Sequence, residues 1–156
     1  MRSLIRQLSA ASFAEEPAQP GLVARLRALA ERAEDEWGLH VHLTVERLDT
    51  PVPALLREQI YHMVHEALVN VWRHANASAA SVDLCTHDHR VEISIADDGR
   101  GFPFQGCYEL DTLNEMGIGP KTLKERVAAL GGTLVIDSND RGARLAIRLP
   151  LSAVDA

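Results

Sequence analysis

Basic residues do not dominate this chain, and aromatic residues are scarce. Sixteen Lys and Arg stand against twenty-two Asp and Glu, a formal charge of −6, and aromatics make up 4% of the sequence. Neutralising the phosphates of a nucleic acid needs a cationic stripe, commonly interleaved with aromatic rings, and none occurs; general nucleic-acid binding is excluded. Cysteine is limited to Cys85 and Cys107, at no metal-type spacing, so a reduced, cytoplasmic protein with two ordinary thiols is expected. No apolar run approaches a membrane span and the N-terminus has no signal-type hydrophobic stretch, so no direct membrane contact is expected. Internal repeats and low-complexity tracts are also missing. What remains is 156 residues at 46% hydrophobic content, enough for one full core in one domain.

The most informative stretch runs from Glu58 to Asn76. Ile60, Met63, Val64, Ala67, Leu68, Val71 and Ala75 recur at spacings of three and four, the buried stripe of an amphipathic helix. Beside it runs a polar series, Glu66, Asn70 and His74, each four apart, with Arg73 one turn beyond Asn70. Residues four apart drift by only about 40°, so the series makes a ladder roughly 12 Å long. On the helix alone a solvated face explains it, although Asn in a helix centre is mildly unfavourable.

The remainder alternates between helical and strand periods. Leu4, Ile5 and Leu8 mark a short helix end, and Pro17, Pro20 and Gly21 a linker. Leu22 to Trp37 reads as a helix stopped by Gly38. Leu39 to Glu46 alternates as a half-buried strand, and Pro51 and Pro53 then open the long helix. Ser81 to Thr86 and Arg90 to Ala96 form an antiparallel hairpin around His87-Asp88-His89. Phe102 to Met116 shows no period and, at about fifteen residues, reads as a functional lid or a disordered loop. Pro120 to Leu130 is a helix, closed by Gly131-Gly132, and Thr133 to Asp137 with Ala143 to Leu149 make a second hairpin. The expected fold is α+β, a two-layer α/β sandwich with a mixed, mostly antiparallel sheet and helices on one face.

Two glycine loops carry chemistry. The strand ending at Ile95 is followed by Asp97-Asp98-Gly99-Arg100-Gly101, where a carboxylate can accept from an exocyclic amine and the glycines allow a flat ligand close to the backbone. Alone, this is an ordinary Asp-Gly turn. Gly117-Ile118-Gly119 precedes Pro120, Lys121 and Thr122 at a helix start, where free N–H groups and the dipole favour an anion. Alone, this is an ordinary glycine-rich helix entry. In order along one chain, the Asn-bearing helix, the first loop, the lid and the second loop supply the parts of a nucleotide site: a hard-cation ligand, an adenine-reading carboxylate, a cover and a phosphate-binding helix start.

With those motifs in place the chain resembles the catalytic ATP-binding (HATPase, Bergerat-fold) domain of a bacterial two-component sensor histidine kinase, in the superfamily shared with gyrase, MutL-type repair proteins and heat-shock chaperone ATPases. His65 to Ala75 is similar to the N box, in the E-A-L-x-N-x-x-[KR]-H form of the nitrate-sensor-like subfamily. Asp97 to Gly101 and Gly117 to Gly119 resemble the two glycine boxes, Lys124 to Gly132 the R-E-R-V-x-x-L-G-G helix end, and Gly142 to Pro150 the last glycine box and strand. The likeness covers about residues 20–150.

The resemblance implies binding of ATP and Mg2+ and transfer of the γ-phosphoryl group to a histidine, for relay to a response regulator. Asn70 would be the metal ligand and Glu66 its catalytic neighbour, near the metal or its waters. Arg73 and His74 would lie towards the phosphates, and Asp97 would read the adenine amine in a pocket shaped by Gly99 and Gly101. Gly117, Ile118, Gly119, Lys121 and Thr122 would hold the triphosphate. Pro120 replaces the family's usual Leu and Ala143 its frequent Thr. No phosphoacceptor segment of the E-R-x-R-I-A-R-E-L-H-D kind occurs. Residues 1–19 are therefore expected to be the end of a dimerisation helix and linker, 20–151 the catalytic domain and 152–156 a tail. The chain would be one piece of a longer, homodimeric kinase, itself cytoplasmic or anchored in the inner membrane. A catalytically silent ATP-binding regulatory module and an anti-sigma-type serine kinase are the alternatives. His40, His42, His87 and His89 are expected to be exposed, and Trp37 and Trp72 to pack.

Overall fold

A computed structural model describes residues 18–46, 48 and 50–152; the expected helix end at Met1–Leu8 and most of the tail lie outside them. The order is α1 (Ala18–Trp37), β1 (His40–Glu46), α2 (Ala54–Asn70) continued by a π-turn (Val71–Ala75), then β2 (Ala79–His87) and β3 (Arg90–Asp97). There follow β4 (Gly106–Glu109), α3 (Leu110–Met116), α4 (Lys121–Ala129), β5 (Thr133–Asn139) and β6 (Gly142–Pro150). The six strands form one sheet in the order β1-β2-β3-β6-β5-β4. Among the described residues only β1 and β2 pair in parallel; the other four pairings are antiparallel.

Alternation puts one sheet face into the core. Val82 and Leu84 of β2, Val91, Ile93 and Ile95 of β3, Leu134 and Ile136 of β5, and Leu145, Ile147 and Leu149 of β6 are all buried. They meet Leu22, Leu26, Leu29 and Ala33 of α1, Leu56, Ile60, Met63, Val64, Ala67 and Leu68 of α2, and Leu123 and Val127 of α4 in one cluster. The opposite face carries Arg144 and Arg148, which are exposed. This is the expected two-layer α+β sandwich. Trp37, at the end of α1, stacks on Trp72 of the π-turn with centroids 5.0 Å apart and planes 8° from parallel.

Four expectations change. Helix α1, described from Ala18, takes in Pro20 and Gly21 of the expected linker. Proline is tolerated in a first turn, where its missing N–H would have no helical partner. Residues 102–116 are not an aperiodic lid throughout: they contain β4, paired with β5 from Gly106↔Ser138 to Glu109↔Val135, and α3, anchored by fully buried Leu113. Pro120 stands at the N-cap of α4 and not within its first turn. Both hairpins are tighter than expected, with two-residue loops; Asp88 and His89 take φ of 52° and 61°. That is the positive-φ pair a right-twisted hairpin demands, here made without glycine.

Candidate nucleotide-binding site

The polar ladder on α2 splits when the packing is seen. Asn70 and His74 line a cavity of about 840 Å³ between α2, the end of β3 and the 102–120 segment. Asp97, Gly101, Ile118 and Gly119 line the same cavity, so all three sequence motifs converge there. Apart from Arg100 at its border, its walls are otherwise apolar, with Ala67, Val71 and Ala75 on the helix side, Ile95, Ala143 and Leu145 from the sheet, and Phe102, Pro103, Phe104 and Pro120 from the cover. A mostly apolar cleft with a few convergent polar groups is the usual form of a ligand site.

Asp97 ends β3, where its Oδ1 accepts the Gly99 N–H at 2.8 Å. Burial pushes its pKa above the usual carboxylate range, opposed by the N–H groups of Gly99 and Ala143 and reinforced by neighbouring Asp98. The glycines around it work by closeness. A Cβ on Gly99 would sit 2.2 Å from the Ala75 carbonyl oxygen, one on Gly101 2.2 Å from that of Asn139, and one on Gly142 2.0 Å from that of Asp97 itself. Gly99 is buried and does not line the cavity; its role is to let the loop touch the helix end. Ser138, buried on β5, completes the fit by accepting the Phe102 N–H at 2.8 Å.

Glu66 lies elsewhere than the ladder suggested. It is turned to α4, its Oε1 3.8 Å from Arg126 Nε and its carboxylate accepting the Leu123 N–H. Lys124 N–H to Pro120 O, at 3.0 Å, is the first α4 hydrogen bond, so Glu66 caps one of the donors before it. Burial raises the Glu66 pKa, while Arg126 and the Leu123 N–H draw it back. Arg126 also donates to Gln59 Oε1 at 2.9 Å, tying α4 to α2.

Arg73, Lys121 and Thr122 are exposed and line no part of the cavity. Gly117 is also outside it; with φ of 68° it closes α3, its N–H donating to Asn114 O at 3.2 Å and the Ile118 N–H to Leu113 O at 3.0 Å. Gly119, at φ 92°, faces the cavity. The lysine that shapes this loop is Lys124, which is buried and donates to the Ile118 carbonyl at 2.7 Å. Two further residues of the first glycine loop, Asp98 and Arg100, are given no role by the motifs. Both are exposed, yet Asp98 Oδ1 accepts the Ser78 and Ala79 N–H groups at 2.9 and 3.0 Å. Arg100 donates to His74 O from Nε at 2.8 Å and to Ala75 O from its backbone N–H at 2.7 Å. The available signal was two charged residues inside a D-x-G-x-G loop, where nothing about a turn alone calls for them.

The family model of histidine kinase-, DNA gyrase B-, and HSP90-like ATPases matches residues 56–153, a span that holds every one of these groups. The chain belongs to that family. It is 32% identical over 154 residues to the sensor histidine kinase NarS of Mycobacterium tuberculosis, covering 97% of this chain and 35% of that relative. It is 34% identical over 130 residues to the signal transduction histidine-protein kinase/phosphatase UhpB of Salmonella typhimurium, covering 83% and 24%. The chain thus spans about a quarter to a third of these relatives' length. Among solved structures, the blue-light activated histidine kinase of Erythrobacter litoralis superposes with a TM-score of 0.67 at 21% identity, over 86% of this chain and 43% of that one. The ATP binding domain of PrrB from Mycobacterium tuberculosis gives 0.59 at 24% identity, over 81% and 91%. These likenesses show a shared fold.

Proposed function

We propose that this chain is the Mg-ATP-binding catalytic domain of a sensor histidine kinase, which donates the γ-phosphoryl group to a histidine on a dimerisation domain outside the sequence. The observation carrying this reading is the convergence of Asn70, Asp97 and Gly119, from three separate motifs, on one cavity. Asp97, half-buried at the end of β3, would accept the adenine amine. The Asn70 side-chain oxygen is a hard donor at the cavity wall, and no cluster of three His, Cys, Asp or Glu occurs among the described residues. That donor set suits Mg2+, which keeps most of its waters and takes one or two protein oxygens beside substrate phosphates.

When bound, the ion would offset charge on the β- and γ-phosphates. Glu66, engaged by Leu123 and Arg126, would act on the waters around it and not as a direct ligand. Gly119 and the start of α4 would face the triphosphate, with Gly117, Lys121, Thr122 and Arg73 at its outer edge. The protein's contribution is positioning and charge compensation. The phosphorylated histidine would then serve a response regulator, and the whole kinase would act as a homodimer. No helix among the described residues is long and apolar enough to cross a membrane; a cytoplasmic placement is part of this proposal.

Calorimetric titration of Mg-ATP into the wild-type chain and Asp97→Asn tests the site. A charged acceptor is worth about 1.5–3 kcal/mol, so the substitution should weaken binding by about ten- to a hundredfold. Undiminished affinity would refute the adenine assignment. Supplying a dimerisation segment in trans tests the transfer. Phosphate on its histidine is expected; phosphate on a serine instead, or none, would support the serine-kinase or silent-module reading.

A further inference from the structure

Directly after Asn70 the helix changes its winding. Val71 to Ala75 form a π-turn, which ends at Asn76 in the left-handed region with φ of 55°. Single π-turns widen a helix and are common at functional sites. The last carbonyls of any helix lack intrahelical donors and must find others. Here two of them, His74 O and Ala75 O, are both taken by Arg100 from the loop after β3. The approach is close enough that only glycine fits at the preceding position, Gly99. Arg100 itself borders the cavity and, among the described residues, is the only arginine or lysine lining it.

We propose that Arg100 is a positioning residue for the nucleotide: by holding the π-turn's carbonyls it fixes the end of α2 so that His74 faces the cavity at a set distance from the Asp97 loop. This rests on the ATP-binding reading and goes beyond it, because it assigns a role to a residue outside the recognised motif letters. The chemistry favours arginine. One planar guanidinium can donate from Nε to the helix while its other nitrogens remain at the cavity rim, whereas lysine gathers its three donors on one terminal nitrogen. The backbone bond to Ala75 survives any substitution, so the side chain's part can be removed separately.

A double-mutant cycle on the full 156-residue chain separates this from simple stabilisation. Mg-ATP affinity is measured by calorimetry for wild type, Arg100→Ala, His74→Ala and the double variant, alongside thermal midpoints. Arg100→Ala should weaken binding by about tenfold, and by less than about twofold when His74 is already alanine, as expected for residues acting as a unit. Lysine at position 100 should restore less than half of the loss on a logarithmic scale. Equal losses in both backgrounds, or full rescue by Arg100→Lys, would overturn the proposal. If Arg100→Ala fails to fold, Arg100→Gln, which retains an amide donor, enters the same cycle with the same criteria. Absence of Mg-ATP binding by the wild type would instead remove the functional reading itself.

Discussion

The cavity has two walls that are built differently. On one side the Asp97–Gly101 loop is locked to the helix end and the following strand by Asp98, by Arg100 and by glycines that exclude any side chain. On the other, the 102–120 segment rests on a four-residue edge strand, a seven-residue helix, the stacked rings of Phe102 and Phe104 and one lysine hydrogen bond. Backbone contact closed by steric exclusion allows one arrangement. Stacked rings and a short edge strand can shift without leaving buried backbone groups unpaired. Under the proposed function, the first wall would read the ligand and the second would cover it.

Substitutions at paired positions put this contrast to the test. The largest effect should come from Gly142→Ala, whose Cβ would overlap the Asp97 carbonyl at a backbone φ of 138°. A loss of about 3–5 kcal/mol is expected from overpacking and backbone strain together, measurable by urea unfolding. Lys124→Met, on the covering wall, leaves the Ile118 carbonyl without its donor and should cost about 1–3 kcal/mol, with weaker Mg-ATP binding. Gly117→Ala meets open space and suffers only its left-handed backbone at φ 68°, so about 1–2 kcal/mol is expected. If Gly117→Ala proved as damaging as Gly142→Ala, the distinction between the walls would fail.

The smallest effect concerns pH. The backbone N–H groups of Ala79 and Ser78 hold the Asp98 carboxyl below its usual range. A depressed folded-state pKa gives stability that is present above the unfolded value and is lost as pH falls through the folded one. Asp98→Ala should therefore lower the thermal midpoint at neutral pH, and the gap should close in acid, below the ordinary carboxylate range. A gap that persists unchanged there would mean that the carboxylate's charge contributes nothing.

Much of this could be read from residue order, and what escaped did so for physical reasons. The core stripe of α2 and the alternating faces of β2, β3, β5 and β6 are local periodicities, visible without a structure. Asn70, Asp97 and Gly119 were found through their motifs, and folding brings them together. Strand β4 is four residues long and borrows its conformation from the edge of β5, so Gly106 to Glu109 carries no pattern of its own. Whether Glu66 faces the cavity or α4 is decided by Leu123 and Arg126, which lie 57 or more positions further along. The π-turn depends on donors from Arg100 in the same way. Short elements and long-range partners set the limit.

The stack of Trp37 on Trp72 has an optical consequence. These are the chain's only tryptophans, and Trp72 is two residues from His74 in the π-turn. Tryptophan fluorescence of this chain therefore arises from a single place, beside the helix end that Arg100 holds. Nearly parallel indoles at this separation share their excitation, so a small change in the π-turn alters emission and near-ultraviolet dichroism together. The molecule thus carries an internal reporter of its helix end, readable without any attached label.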